Sequence, residues 1–151
     1  MYDTLKLLHV LAATIWVGGA ALLVFRGFRL SMNRDAGTQE RLVFARDSLA
    51  SGTVFAITGI LTLVFGMWMV VDADGAIGWG DTWITFGFTG VALGAVLGQV
   101  FYGPQGRKLV AALESGDPAA DAISRRLGMV SMLEILVLFV VIWAMVFKPG
   151  A

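Results

Sequence analysis

Four apolar runs of spanning length, at about 5–25, 53–71, 83–102 and 127–147, restrict what this chain can fold into. A helix needs about 20 mostly apolar residues to cross the roughly 30 Å hydrocarbon layer of a bilayer. Runs of that length, joined by shorter polar segments, predict an all-α, four-helix transmembrane bundle forming one domain over residues 1–151. Composition agrees with that reading: 58% of the residues are hydrophobic and 15% charged, whereas soluble domains carry about 25% charged residues. Cysteine is absent, which excludes disulfides, thiolate metal centres, iron–sulfur clusters and cysteine nucleophiles.

Formal net charge is zero, yet the charges are unevenly placed. The first connection carries Arg26, Arg29, Arg34, Arg41 and Arg46, and the third carries Arg107, Lys108, Arg125 and Arg126. The second, DADGAIGWGD (72–81), has three aspartates and no base, and only Lys6 and Lys148 join it on that side. Basic residues accumulate on cytoplasmic loops, so connections one and three are expected inside and both termini outside, in a bacterial inner (plasma) membrane. Trp68, Trp79, Trp83 and Trp143 fall at the outer boundary, as an interfacial aromatic belt would. The first run lacks the basic leader of a signal peptide and has full spanning length, so it reads as a retained helix.

Outside the apolar runs, Thr38, following Gly37, reads as the cap of an inner extension of the second helix. Asp117-Pro118 reads as an N-cap followed by a proline in the first turn of the fourth. RKLVAALE (107–114) would prolong the third. The basic segments suit lipid head groups, and nothing is basic enough to imply nucleic acid.

Within lipid, helices associate through close approach of small residues. Gly90, Gly94 and Gly98 repeat at four on the third helix, Gly52, Gly59 and Gly66 at seven on the second, and Gly18-Gly19 lie on the first. These faces serve intramolecular packing or a homo-oligomer contact.

Ionisable groups inside a span are functional candidates that need partners. His9, the single histidine, lies roughly 6 Å inside the outer boundary, and Glu134 roughly 10 Å from the inner one, at 1.5 Å rise per residue. Their opposite depths argue against a direct pair. Judged by depth, Gln99, Arg26, Ser51 and Thr53 are the candidate partners of Glu134, which reads as an interhelical clamp or a proton relay. His9 and Trp16 are seven apart and share a helix face with Ala12 and Ala13 beside them, an arrangement that suits a flat macrocycle such as haem b. Met67, Met69 and Met145 fall at a similar outer depth, and thioethers ligate haem iron or Cu(I); they also serve as apolar filler. Copper held by His9 and these methionines is therefore the alternative to haem. Phosphate loops, GxSxG, HExxH and CxxC signatures are all missing.

The Lys6, His9, Trp16, Gly19 pattern resembles the start of HemJ-type protoporphyrinogen oxidases, and the LHxxAxxxWxGG opening is similar to the membrane region of copper resistance protein D. The first resemblance implies His9 as a haem ligand, Lys6 as a functional residue beside a propionate or substrate carboxylate, and Trp16 lining the pocket. Where HemJ-type proteins continue with an arginine-aromatic-histidine element, this chain has LLVFRGFRL (22–30). Over its whole length it resembles the bacterial membrane family called domain of unknown function 2269, through KLLHVLAATIWVGG (6–19), YGPQGRKL (102–109) and WAMVFKPG (143–150). That resemblance implies a multi-pass membrane protein without an assigned activity. The other readings are a copper or small-solute transporter and an accessory or structural subunit.

Because no native cysteine interferes, two single-cysteine variants report the orientation. A membrane-impermeant maleimide is expected to label Asp74→Cys in intact cells, and Asp117→Cys only after the inner membrane is permeabilised; the reverse pattern would invert the topology.

Overall fold

Each apolar run becomes part of one long helix in the structure, a computed structural model that describes residues 1–33 and 35–150. Arg34, one of the basic residues of the first connection, lies outside the described residues. The elements are α1 (Tyr2–Met32), α2 (Thr38–Asp72), α3 (Thr82–Val96), a π-helical segment (Leu97–Tyr102), α4 (Gly103–Ser115) and α5 (Ala119–Phe147). No strand occurs among the described residues, and four helical stretches are long and apolar enough to cross a membrane: Tyr2–Met32, Thr38–Asp72, Thr82–Ser115 and Ala119–Phe147.

Length exceeds what a bilayer needs. The 35 residues of α2 extend about 52 Å at 1.5 Å per residue, and the surplus lies on the basic side, where α2 runs some fifteen residues before its apolar stretch begins. Thr38 is the first helical residue, with Gly37 in the cap position. At the other inner turn, Gly116 takes a left-handed φ of 70°. The Asp117 N–H then donates to the Ala112 carbonyl at 2.9 Å, closing α4 with a Schellman turn. The Asp117 carboxylate in turn accepts from the Ala119 N–H at 2.8 Å. Pro118, expected as the first helical residue, instead stands in the cap position ahead of Ala119, so α5 starts a residue later than the sequence suggests and Asp117 contacts its first turn from one residue further out.

The third spanning stretch is continuous but widened. Pro104 has no N–H to donate to residue 100, and its ring would crowd that carbonyl in a regular α-helix. The backbone answers with a π-helical segment, in which the Gly103 N–H bonds to the Gly98 carbonyl five residues back.

Three buried clusters follow one another along the bundle. The one nearest the chain termini gathers Val70, Trp83 and Ile84 with Met145, the middle one Trp16, Ile135 and Leu138 with Phe55 and Val91. At the basic end, Leu42 and Ala45 of α2 meet Leu109, Ala112 and Leu113 of α4 and Ala120 of α5. Trp68, Trp79 and Trp143 are exposed toward the end that carries the termini, but Trp83 turns inward with the Lys148 ammonium 5.0 Å from its ring. Arg41–Asp121 at 2.5 Å and Arg46–Glu114 at 2.6 Å join α2 to α5 and α4; exposed pairs of this kind contribute roughly 0.2–1 kcal/mol each.

The glycine faces divide. An added Cβ on Gly90 would lie 2.7 Å from Val141, on Gly94 2.6 Å from Trp16, and on Gly106 2.7 Å from Leu49, while Gly18, Gly52 and Gly98 meet nothing within 4 Å. Gly94→Ala is therefore expected to destabilise the bundle by about 1–3 kcal/mol through overpacking. Gly52→Ala should instead be neutral or gain up to about 1 kcal/mol from helix propensity. Thermal unfolding of both variants in one detergent checks the contrast.

Candidate functional site

One strip of α1 faces the interior: Leu5, Ala12 and Trp16 are buried, with His9 and Ala13 half-buried among them. Steps of three and four residues keep such positions on one helix face. Opposite this strip α2 presents Thr58, Gly59 and Thr62, all buried, and Gly66. The two hydroxyls are satisfied within their own helix: Thr62 donates to the Thr58 carbonyl and Thr58 to the Val54 carbonyl, both at 2.8 Å. α2 therefore offers α1 a surface with small residues and few unpaired polar atoms.

His9 is seated on that surface. Its Nδ1 lies 2.8 Å from the Thr62 carbonyl oxygen, and a Cβ on Gly66 would come within 3.2 Å of both Nδ1 and Cε1. Glycine at position 66 is what allows the imidazole to lie so close to α2. A carbonyl only accepts, so Nδ1 carries the proton, and in the neutral ring Nε2 keeps its lone pair. The hydrogen bond thus fixes both tautomer and ring position, leaving the other nitrogen for a ligand.

Two turns further in, the Trp16 indole occupies the centre of the bundle. It packs on Gly59 of α2 and Gly94 of α3, and against Ile135 and Leu138 of α5. Past it, Glu134 Oε1 lies 3.6 Å from the place a Gly94 Cβ would take. His9, Trp16 and Glu134 therefore succeed one another along the bundle, leading away from the end that carries the termini. His9 and Glu134 each have other neighbours, in keeping with their opposite depths.

The partners suggested for Glu134 by depth are not the ones beside it. Arg26 is exposed, with Asp47 at 3.8 Å and the Phe44 ring 5.7 Å from its guanidinium. Ser51 donates to the Asp47 carbonyl at 2.9 Å, and Thr53 and Gln99 are exposed. Gln99 comes five residues after Gly94, about 140° round a helix of 3.6 residues per turn, so it shares a depth with Glu134 but not a face. The neighbour is Tyr102, whose buried hydroxyl lies beside Glu134 and Ser131. Sequence reasoning missed it, although Gly90, Gly94, Gly98 and Tyr102 form one continuous repeat of four.

The remaining candidates are scattered. Lys6 is exposed on α1, and Met67 and Met69 are half-buried on α2. The Met145 thioether packs over Gly87 of α3, against the cluster of Val70, Trp83 and Ile84. Among the described residues no group of three histidine, cysteine, aspartate or glutamate side chains could hold a metal ion. An open cleft of about 920 Å³ lies between the basic ends of α1 and α2, lined by Leu22, Phe25, Arg26, Arg29 and Phe44. It begins about 20 Å from His9 along α1.

A family model described as "Predicted integral membrane protein (DUF2269)" matches residues 3–149. No curated protein and no solved structure matches the chain.

Proposed function

The chain belongs to the DUF2269 family of integral membrane proteins, and from that premise we propose that it is a haem-associated redox protein of the bacterial plasma membrane, with His9 as axial ligand. The observation that carries this reading is the Nδ1–H hydrogen bond to the Thr62 carbonyl at 2.8 Å. Metal-ligating histidines characteristically donate the other ring N–H to a carbonyl or carboxylate, which fixes the tautomer and raises the basicity of the ligating nitrogen. Here that arrangement is built from a backbone carbonyl of one helix, a side chain of another, and a glycine that makes room for the ring.

A lone imidazole suits a porphyrin better than a bare ion. Haem brings four nitrogen donors of its own and asks the protein for one or two axial ligands. A copper site would have to gather thioethers around His9, and Met145 is engaged over Gly87 instead. Bound at His9, haem b would supply a one-electron iron couple. The chain's own contributions would then be distinct: His9 Nε2 would hold the iron, Thr62 and Gly66 orient the ring, Trp16 closes the interior beneath it, and exposed Lys6 would offer a cation for a carboxylate at the outer surface. With the termini outward, this site belongs to the outer half of the membrane.

Expression with abundant haem, purification in mild detergent and an absorbance spectrum test the reading. Wild type is expected to show a Soret band that His9→Ala loses, with Gly66→Leu weakening haem affinity roughly 10–100-fold, as loss of ligand orientation does. A colourless wild type, or a band that survives in His9→Ala, would overturn the assignment.

A further inference from the structure

The open cleft of about 920 Å³ between the basic ends of α1 and α2 serves neither the His9 site nor the packing of the bundle. Leu22, Phe25, Arg26, Arg29 and Asn33 line it from α1. Steps of three and four residues keep these positions on one helix face. Glu40, Val43 and Phe44 line it from α2. The two helices touch beside it, where an added Cβ on Gly27 would lie 3.2 Å from the Phe44 ring.

Apolar surface and unpaired charge meet in this cleft. Phe25 is 57% exposed and Val43 45%, although Phe25 ends the first apolar run and Val43 comes before the second begins. The cleft therefore lies where the helices pass from hydrocarbon to head groups. Arg29 and Glu40 take part in none of the ion pairs among the described residues, and Arg26 has Asp47 only at 3.8 Å. Two guanidiniums thus stand on the α1 wall and one carboxylate on the α2 wall. A free phosphate would engage the guanidiniums but leave the apolar walls uncovered; a hydrocarbon chain alone would do the reverse. A phospholipid carries both parts. Guanidinium matches a phosphate with paired hydrogen bonds, and basic pockets between membrane helices bind phospholipid head groups. Glu40 selects among them, because a carboxylate opposes further negative charge on the head group and attracts an ammonium.

We propose that this cleft binds one aminophospholipid of the phosphatidylethanolamine class, its phosphodiester held by Arg26 and Arg29, its ammonium by Glu40, and an acyl chain lying along Leu22 and Phe25. Leu22 is on the side of the membrane centre and Asn33 on the side of the connection, so the lipid enters with the same polarity as its neighbours in that leaflet. The site is independent of the haem reading, and His9→Ala should leave its lipid binding unchanged.

Native mass spectrometry of the purified protein in mild detergent, offered equal amounts of phosphatidylethanolamine and phosphatidylglycerol, tests the site. Wild type is expected to retain one phospholipid and to prefer phosphatidylethanolamine. Arg29→Gln should weaken retention roughly tenfold, through loss of a charge-assisted hydrogen bond. Glu40→Gln should keep a bound phospholipid but lose the preference for the amine. Arg29 and Glu40 are exposed, so neither change disturbs the packed interior. Lys108→Gln, an exposed position on α4 at the same end of the bundle, should change nothing. A loss in Lys108→Gln equal to that in Arg29→Gln would reduce the binding to a general attraction of lipid to the basic surface and overturn the proposal. So would a lipid-free wild type, a wild type that takes phosphatidylglycerol equally or better, or an amine preference that survives Glu40→Gln.

Discussion

The whole bundle depends on how closely its helices can approach in a solvent that gives apolar side chains no reason to associate. The tightest approach surrounds Trp16. Its indole lies at ordinary contact distance from Gly59 on one helix and close against Gly94 on another, where an added Cβ would come within 2.6 Å of the ring. Two backbones and a large aromatic ring thereby form one interior layer, completed by Ile135 and Leu138. Beyond the apolar stretches the packing changes in kind: the basic ends meet through leucines and alanines of α2, α4 and α5, as in a soluble helical core. The long basic-side extensions are thus held together rather than left as separate solvated arms.

The same device places the histidine. One step toward the end that carries the termini, Gly66 does for His9 what Gly94 does for Trp16, removing a Cβ so that a flat ring can touch the neighbouring helix. The consequence differs because imidazole has two nitrogens. Thr62 engages one of them, and the other is the atom with which the protein can act. On the side of the indole away from His9, Gly94 leaves Glu134 beside the ring. The interior is therefore a sequence of polar sites separated by an aromatic plug, with no direct contact between the histidine and the carboxylate.

Much of this was legible in the residues. Spanning length located all four membrane stretches, and the spacing of seven placed His9 and Trp16 on one face. Glycine repeats identified the faces that pack, although only Gly90 and Gly94 of the third-helix triplet are occupied by neighbours, and Gly98 is open. Depth alone misled on the partners of Glu134, because residues at one depth can lie on opposite sides of a helix. Arg26 found Asp47 instead, and Gln99 faces outward. Tyr102 was hidden for a second reason: the π-helical widening before Pro104 changes the phase of the segment that carries it. Trp83 looked interfacial by position, but its ring is buried against Val70 and Ile84.

The central claim is that His9 is held through Nδ1 by a carbonyl of α2, with Nε2 left free to ligate. As the chain contains one histidine, labelling with ring-15N histidine gives one pair of nitrogen signals and no assignment problem. Solid-state NMR in lipid bilayers is the most direct measurement. The account predicts a protonated Nδ1 and an unprotonated Nε2, with the Nε2 signal changing on addition of haem. A ring protonated at Nε2, with Nδ1 bare, would contradict it.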